Sequence, residues 1–247
     1  MDTKPPTAAI LLIGDEILSG KVDDENARYL LRELRQRGVT VARIEIVPDQ
    51  LPDIAETVAR LSARFDWVFT SGGVGPTHDD VTLPAVAAAF GTTMARNPEL
   101  EVLMRRSWGE GLHLRDLRMA DIPVGARLEY GARAEATIWP IVVMKNVWIL
   151  PGVPKIFRRK FEVIRELFKG PEIHARVVYS AEPEGAIADT LDAVVAAFPT
   201  VDIGSYPHLD ALDYKVKITL DGRNPQAVEA ATALLVQRLG PAIVRTE

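Results

Sequence analysis

The chain has 247 residues, 47% of them hydrophobic and 26% charged, with a net charge of −5. That length suits one large and one small globular domain, and the acidic balance excludes nucleic acid as the main partner, because phosphate backbones are held by clustered Lys and Arg. With no cysteine, a disulfide scaffold, a thiolate metal site and a Cys nucleophile are excluded, and four scattered histidines give no zinc cage. No stretch approaches the ~20 apolar residues that span a bilayer, and residues 1–6 carry no apolar signal core, so no membrane partner is expected and the localisation is read as cytoplasmic.

The elements follow in chain order. Residues 8–13 form a short continuous apolar run, the pattern of a strand buried on both faces. Residues 14–24 read as a polar loop. Ala27, Leu30, Leu31 and Leu34 recur at helical spacing, with Gly38 where a left-handed cap belongs. Residues 39–47 read as a second strand. Ile54, Val58, Leu61 and Phe65 mark a second helix, and residues 66–70 a third strand. After a loop at 71–80, Leu83, Val86, Ala87 and Phe90 mark a third helix that ends at Gly91. Strands alternating with helices of this length imply right-handed βαβ crossovers and a mostly parallel sheet.

Residues 97–107 look helical, and residues 108–123 show no clear period. Residues 137–144 and 147–150 flank Lys145-Asn146, a two-residue hairpin turn. Pro151-Gly152-Val153-Pro154 breaks the chain, and Phe157, Phe161, Ile164 and Phe168 predict a long helix to Gly170. A domain of residues 1–170 is therefore expected, followed by a small α+β domain of residues 171–247. The latter reads βαββαβ: strand 172–180, helix 185–198, strands 201–206 and 214–220, helix 225–239, strand 242–245. Asn224-Pro225 supplies a helix cap and first-turn proline. That order is similar to ferredoxin-like and KH-like units. It lacks a GXXG loop and a basic stripe, so RNA binding is not expected, and packing against a partner subunit is the expectation for it.

The stretch richest in chemistry is Ser71-Gly72-Gly73-Val74-Gly75-Pro76-Thr77-His78-Asp79-Asp80, between a strand and a helix. Glycines let a ligand approach the backbone, whose N–H groups cradle phosphate oxygens. A glycine-rich turn alone is more simply a tight βα connection. Asp79 and Asp80 add to it: two carboxylates beside a phosphate loop repel the anion unless a cation lies between them, although either one could cap the next helix. Gly14-Asp15-Glu16 and Asp49 follow other strand ends and open on the same edge of a parallel sheet. Asp24 reads as a helix cap, while Asp15 and Glu16 have no such structural role. His78 is a phosphate contact, a general acid or a plain polar loop residue.

Gly14-Asp15-Glu16-Ile17-Leu18-Ser19-Gly20, Asp24-x-Asn26, Gly72-Gly73-Val74-Gly75-Pro76-Thr77-x-Asp79-Asp80-x-Thr82 and Leu150-Pro151-Gly152-Val153-Pro154 together resemble the molybdopterin-binding family of MogA, MoaB, gephyrin and MoeA domains, in its branch typified by the competence/damage-inducible protein A. Leu117-Arg118-Met119-Ala120, with Phe157 and Phe161, is more similar to the domain associated with FAD synthase. The resemblance implies a three-layer α/β/α sandwich with a mixed, mostly parallel sheet, assembled as homo-oligomers (dimers or trimers). It implies a pocket for a pterin or nucleotide phosphate over Ser71–Thr77, with Asn26 and Lys21 among the binding residues. The two aspartates that serve insertion or adenylation chemistry match Asp49 and Asp80. The branch is linked to metal-dependent ADP-ribose pyrophosphatase activity, and the related FAD synthase domain to FAD hydrolysis. The activity expected is therefore cleavage of a dinucleotide diphosphate with Mg, Mn or Co held by Asp15, Glu16, Asp79 and Asp80, and with Asp80, Asp49 and His78 catalytic. The other reading is a molybdopterin-binding module that turns nothing over.

Overall fold

The computed structural model describes residues 5–131, 139–209 and 213–247. They form two compact units, Met1–Gly170 and Pro171–Glu247. The first is built on β1 (Thr7–Ile13), α1 (Asp15–Leu18), α2 (Asn26–Gln36), β2 (Thr40–Val47), α3 (Leu51–Arg64), β3 (Trp67–Ser71), α4 (Thr82–Ala89), β4 (Met94–Arg96), α5 (Pro98–Trp108), β5 (Asp121–Pro123), β6 (Arg127–Glu129), β7 (Ile141–Met144), β8 (Val147–Leu150) and α6 (Pro154–Ile164).

The main sheet has the order β2-β1-β3-β8-β7-β6. β2, β1, β3 and β8 run parallel, while β7 is antiparallel to both its neighbours, so the sheet is mixed. The alternation of β1 explains the layers. Ala9, Leu11 and Ile13 face a core shared with Ile54, Val58 and Leu61 of α3, Val86 of α4 and Leu100 and Met104 of α5. Ala8, Ile10 and Leu12 face the opposite core, with Leu30 and Leu34 of α2 and Phe157 and Phe161 of α6. A strand apolar on both faces is what a sheet covered by helices on both sides requires, and the unit is an α/β/α sandwich.

Local expectations and structure part at several places, the unanticipated short strands β4 and β6 among them. The polar loop 14–24 contains the single-turn helix α1. The irregular stretch 108–123 is two 3-10 turns, Gly109–Gly111 and Asp116–Ala120, and then β5, which pairs with β4. The strand expected from Thr137 begins at Ile141, and positions 137 and 138 lie outside the described residues. The last helix ends at Ile164 and continues as a 3-10 turn, Arg165–Leu167, rather than running to Gly170. The tighter turn delivers Phe168, fully buried, edge-on to Phe69 and Trp148 and stacked on Phe161. Arg37 Nε donates to the Arg165 carbonyl, satisfying a helix-end acceptor. The hairpin turn sits at Lys145-Asn146, with Lys145 at φ +53°. Asn146 pins it by donating to the Ser62 and Phe65 carbonyls at 3.0 and 2.8 Å.

The second unit comprises β9 (His174–Ser180), α7 (Glu184–Ala197), β10 (Asp202–Pro207), β11 (Val216–Gly222), α8 (Pro225–Leu239) and β12 (Ile243–Thr246). Its antiparallel sheet runs β10-β11-β9-β12, the ferredoxin-like order, over a core of Val178, Ile218 and Leu220 with Ile187, Val194 and Leu235 from the two helices. Asn224 Oδ1 accepts from the Gln226 and Ala227 amides, starting α8 as its sequence specifies. Among the described residues no helix is long and apolar enough to cross a membrane.

Candidate functional site

The site is built where β1, β3 and β8 end side by side. Gly72 leaves β3 at φ +107°, and its amide donates to the Leu150 carbonyl at 3.3 Å. A Cβ here would stand 2.0 Å from the Ile13 carbonyl oxygen. Gly152 passes so close that its own Cβ would meet Gly72 Cα at 3.2 Å. Only glycine lets three strand ends converge this tightly. Gly73 follows at φ +61°. The buried Thr82, first residue of α4, clamps both glycines, its hydroxyl donating to the Gly72 carbonyl at 2.9 Å and its amide to Gly73 at 3.1 Å.

Two residues seen as site candidates prove to be architectural as well. Asn26 is 3% exposed, and its Nδ2 donates to Ser71 Oγ at 2.9 Å and to the Gly152 carbonyl at 2.7 Å, so the start of α2 is stitched to the ends of β3 and β8. Its Oδ1 is buried with no partner. Asp24 caps α2 as expected, accepting from Ala27 at 2.8 Å. Neither Asp79 nor Asp80 caps the helix after the turn: α4 starts behind Val81 with no side-chain cap. Asp80 Oδ2 instead accepts from the Thr77 amide at 2.8 Å and from the Thr77 hydroxyl, folding the turn 77–80 on itself beside Gly75.

A cleft of about 160 Å³ opens over this turn, lined by Gly73, Val74, Gly75 and Asp80, by the apolar Leu83, Pro84 and Met94, and by Arg118 and Asp121. Arg118 Nη1 donates to the Thr77 carbonyl at 3.2 Å, which places a guanidinium at the rim. Asp121 is held by Arg96. The cleft thus offers glycine-rich backbone and one cation at one end and an apolar wall at the other. Periodicity could not have found Arg118 as a lining residue, because it sits on a 3-10 turn inside the stretch without a period.

The remaining acids collect on the same sheet edge. The Asp15 amide donates to Asp49 Oδ2 at 2.9 Å. Burial, and then the charges of Glu16, Asp15 and Asp79, push the Asp49 carboxyl above the ordinary aspartate value. Three acidic loops therefore lie within reach of one another's charge, with Asp80 lining the cleft and the exposed Asp79 among the charges felt by Asp49. The four residues expected to hold a divalent ion, Asp15, Glu16, Asp79 and Asp80, are divided in this way. Among the described residues no three His, Asp or Glu side chains stand close enough to hold a metal ion. His78 is 98% exposed, 3.8 Å from Asp79. Lys21 is exposed, with its amide bonded to the Glu16 carbonyl at 2.9 Å. Neither reaches into the cleft lining.

Residues 9–170 match the family described as a probable molybdopterin binding domain, and residues 172–247 match the middle domain of FAD synthase. A probable FAD synthase of Caenorhabditis elegans is 34% identical over 263 residues, covering 96% of this chain and 51% of its own. A CinA-like protein of Gemmatimonas aurantiaca is 31% identical, covering 94% of this chain and 58% of its own. The chain thus spans about half the length of these relatives. The crystal structure of CinA from Thermoplasma acidophilum superposes with a TM-score of 0.58 at 29% identity, covering 66% of this chain and 99% of that one. On these grounds the chain belongs to the family of the probable molybdopterin binding domain, is similar to CinA-like proteins and FAD synthases alike, and carries a match to the FAD synthase middle domain after it.

Proposed function

We propose that the first unit binds the phosphorylated end of a pterin or nucleotide in the cleft over Gly73–Gly75: molybdopterin, or a dinucleotide diphosphate such as ADP-ribose or FAD. One observation supports this above all, the placement of Arg118 at the same end of the cleft as a turn whose glycines expose their backbone. A guanidinium and backbone amides are matched to phosphate oxygens, while Leu83, Pro84 and Met94 suit the flat apolar part of such a ligand. At about 160 Å³ the cleft is smaller than a pocket for a whole cofactor, ~300–1,000 Å³, so the rest of the ligand would lie outside it. The FAD synthase names among the relatives make FAD the first ligand to try.

Cleavage of the diphosphate is the second reading, favoured by the gathering of Asp15, Glu16, Asp49 and Asp79 beside that cleft. A carboxyl that holds its proton more tightly is a stronger base, which suits Asp49 to receiving a proton. The acids present do not make a metal site by themselves, and no step is assigned to an ion.

Calorimetric titration with FAD, ADP-ribose and molybdopterin tests the binding, and analysis for AMP with and without Mg²⁺, Mn²⁺ or Co²⁺ tests the cleavage. Arg118→Ala should weaken binding about tenfold or more, the value of a charge-assisted hydrogen bond. Binding of all three ligands unchanged in that variant, or no binding of any to the wild type, would overturn the proposal. Release of AMP that survives Asp49→Asn would remove Asp49 from the chemistry.

A further inference from the structure

The two helices on one side of the main sheet carry charge out of proportion to the chain. α2 and α6 lie side by side and run the same way: Tyr29 meets Phe157 and Phe161 edge-on, Glu25 pairs with Arg158 at the two starts, and Arg37 and Arg165 share Glu33 near the two ends. Residues 25–37 and 154–169 hold ten Arg and Lys against four Glu, on a chain whose net charge is −5. Ala27, Leu30 and Leu34 bury the inner face of α2, which turns Arg28, Leu31, Arg32 and Arg35 to solvent at helical spacing. On α6, Phe157, Phe161 and Ile164 are buried, while Lys155, Ile156 and Arg159 are exposed. The arginines of the seam are satisfied within the chain, Arg158 by Glu25, and Arg37 and Arg165 by Glu33 and Glu166. Arg28, Arg32, Lys155 and Arg159 are not: among the described residues none of the four has an ion-pair partner.

We propose that this face of the first unit rests on an anionic bilayer surface. Four cations without partners in the chain are spread over a pair of parallel helices, each of 11 residues and so about 16 Å long. That layout complements the headgroup charge of lipids such as phosphatidylserine. Leu31, 37% exposed, and Ile156, 47% exposed, stand among the cations and suit the boundary between headgroups and acyl chains. Such a face lies on a membrane without crossing it. Other polyanions fit less well. An acidic peptide helix needs a groove, and the seam between α2 and α6 is filled by the Tyr29 ring with the Arg158 guanidinium over it. A nucleic acid strand is gripped by cations interleaved with exposed aromatic rings, whereas the rings of these helices point into the core or the seam. Acidic groups elsewhere on the chain oppose the contact only weakly, because salt screens charge beyond ~8 Å.

Co-sedimentation of the full chain with phosphatidylcholine vesicles, with and without about a third phosphatidylserine, reads the contact. Binding should require the anionic lipid and fall as salt rises. A cation at the surface is worth about a fivefold change in partitioning, so Arg28→Gln, Arg32→Gln and Arg159→Gln together should lower it about a hundredfold. Arg64→Gln, Arg106→Gln and Arg238→Gln remove the same charge from exposed sites on α3, α5 and α8, and should leave binding within about twofold of wild type. Circular dichroism checks that both triple variants fold. If the first does not, Lys155→Gln alone should still lower binding about fivefold. Wild type that pellets with neither kind of vesicle, or equally with both, would overturn the proposal, as would equal losses in the two triple variants. A DNA duplex that binds more tightly than the vesicles, and loses as much in the first triple variant, would reassign the face to nucleic acid.

Discussion

Gly72→Ala probes the convergence of strand ends beneath the cleft, and its cost has two separable parts. A backbone at φ +107° is a conformation for glycine, and another residue held there costs roughly 1–3 kcal/mol. The new methyl would also stand 2.0 Å from the Ile13 carbonyl oxygen. That oxygen belongs to β1, paired on both sides, so no side-chain rotation relieves the overlap and the backbone must move. Together these place the loss at about 4 kcal/mol or more, in the range reserved for disrupted cores. Gly20→Ala is the control, with φ +70° and nothing within 4 Å of its Cβ, and should cost only about 1 kcal/mol. All four tryptophans, Trp67, Trp108, Trp139 and Trp148, lie in the first unit, so their fluorescence in urea follows that unit alone. A difference between the two variants below about 1 kcal/mol would refute the argument that contact with β1, rather than backbone conformation, dominates.

Other perturbations read other parts of the site. Asn26→Ala removes both donors to Ser71 and Gly152 and should destabilise the unit by about 2 kcal/mol in the same titration; Asn26→Asp should be worse, because a carboxylate would face the Gly152 carbonyl. The folded Asp49 binds its proton more tightly than the unfolded one, so its contribution is full below the ordinary aspartate range and is lost as pH rises through the raised folded value. Asp49→Asn, which can still accept from Asp15, should therefore be more stable than wild type at pH 7, with the gap closing in acid. Burial pushes Lys160, whose ammonium donates to the Pro140 carbonyl, down to about 7 from 10.5. The unfolded chain then binds more protons between those values, so stability should rise with pH across that window, and Lys160→Met should flatten the rise in urea titrations at several pH values.

Features set by neighbours along the chain were legible in the sequence. The buried run of β1, the positive φ of Gly38 at +73°, the Asp24 and Asn224 caps and the order of both units needed only local rules. The features that local rules leave out depend on distant partners. The helix predicted to Gly170 ends at Ile164 because Phe168 has an aromatic pocket between Phe69 and Trp148, which come from distant strands of the chain. Asp79 and Asp80 read as an ion-binding pair, yet adjacent residues of a tight turn diverge, and Thr77 captures one of them. The motif alone presents Asn26 as a ligand contact. Its bonds to Ser71 and Gly152 show a role that spacing could not reveal.

The place of β8 carries a consequence for how the chain is made. β3 pairs with β1 as soon as both are synthesised, but its other side waits for β8, which follows only after β4 to β7 and their helices. Until then Val68 and Phe69, fully buried in the finished unit, stand beside an unpaired row of backbone groups. Closing so long a loop is entropically slow, and an apolar strand with a bare edge is a template for intermolecular pairing. A nascent chain halted before β8 should therefore be prone to aggregate and dependent on holdase chaperones, and the unit becomes safe to release only once residues 147–150 have slotted into its centre.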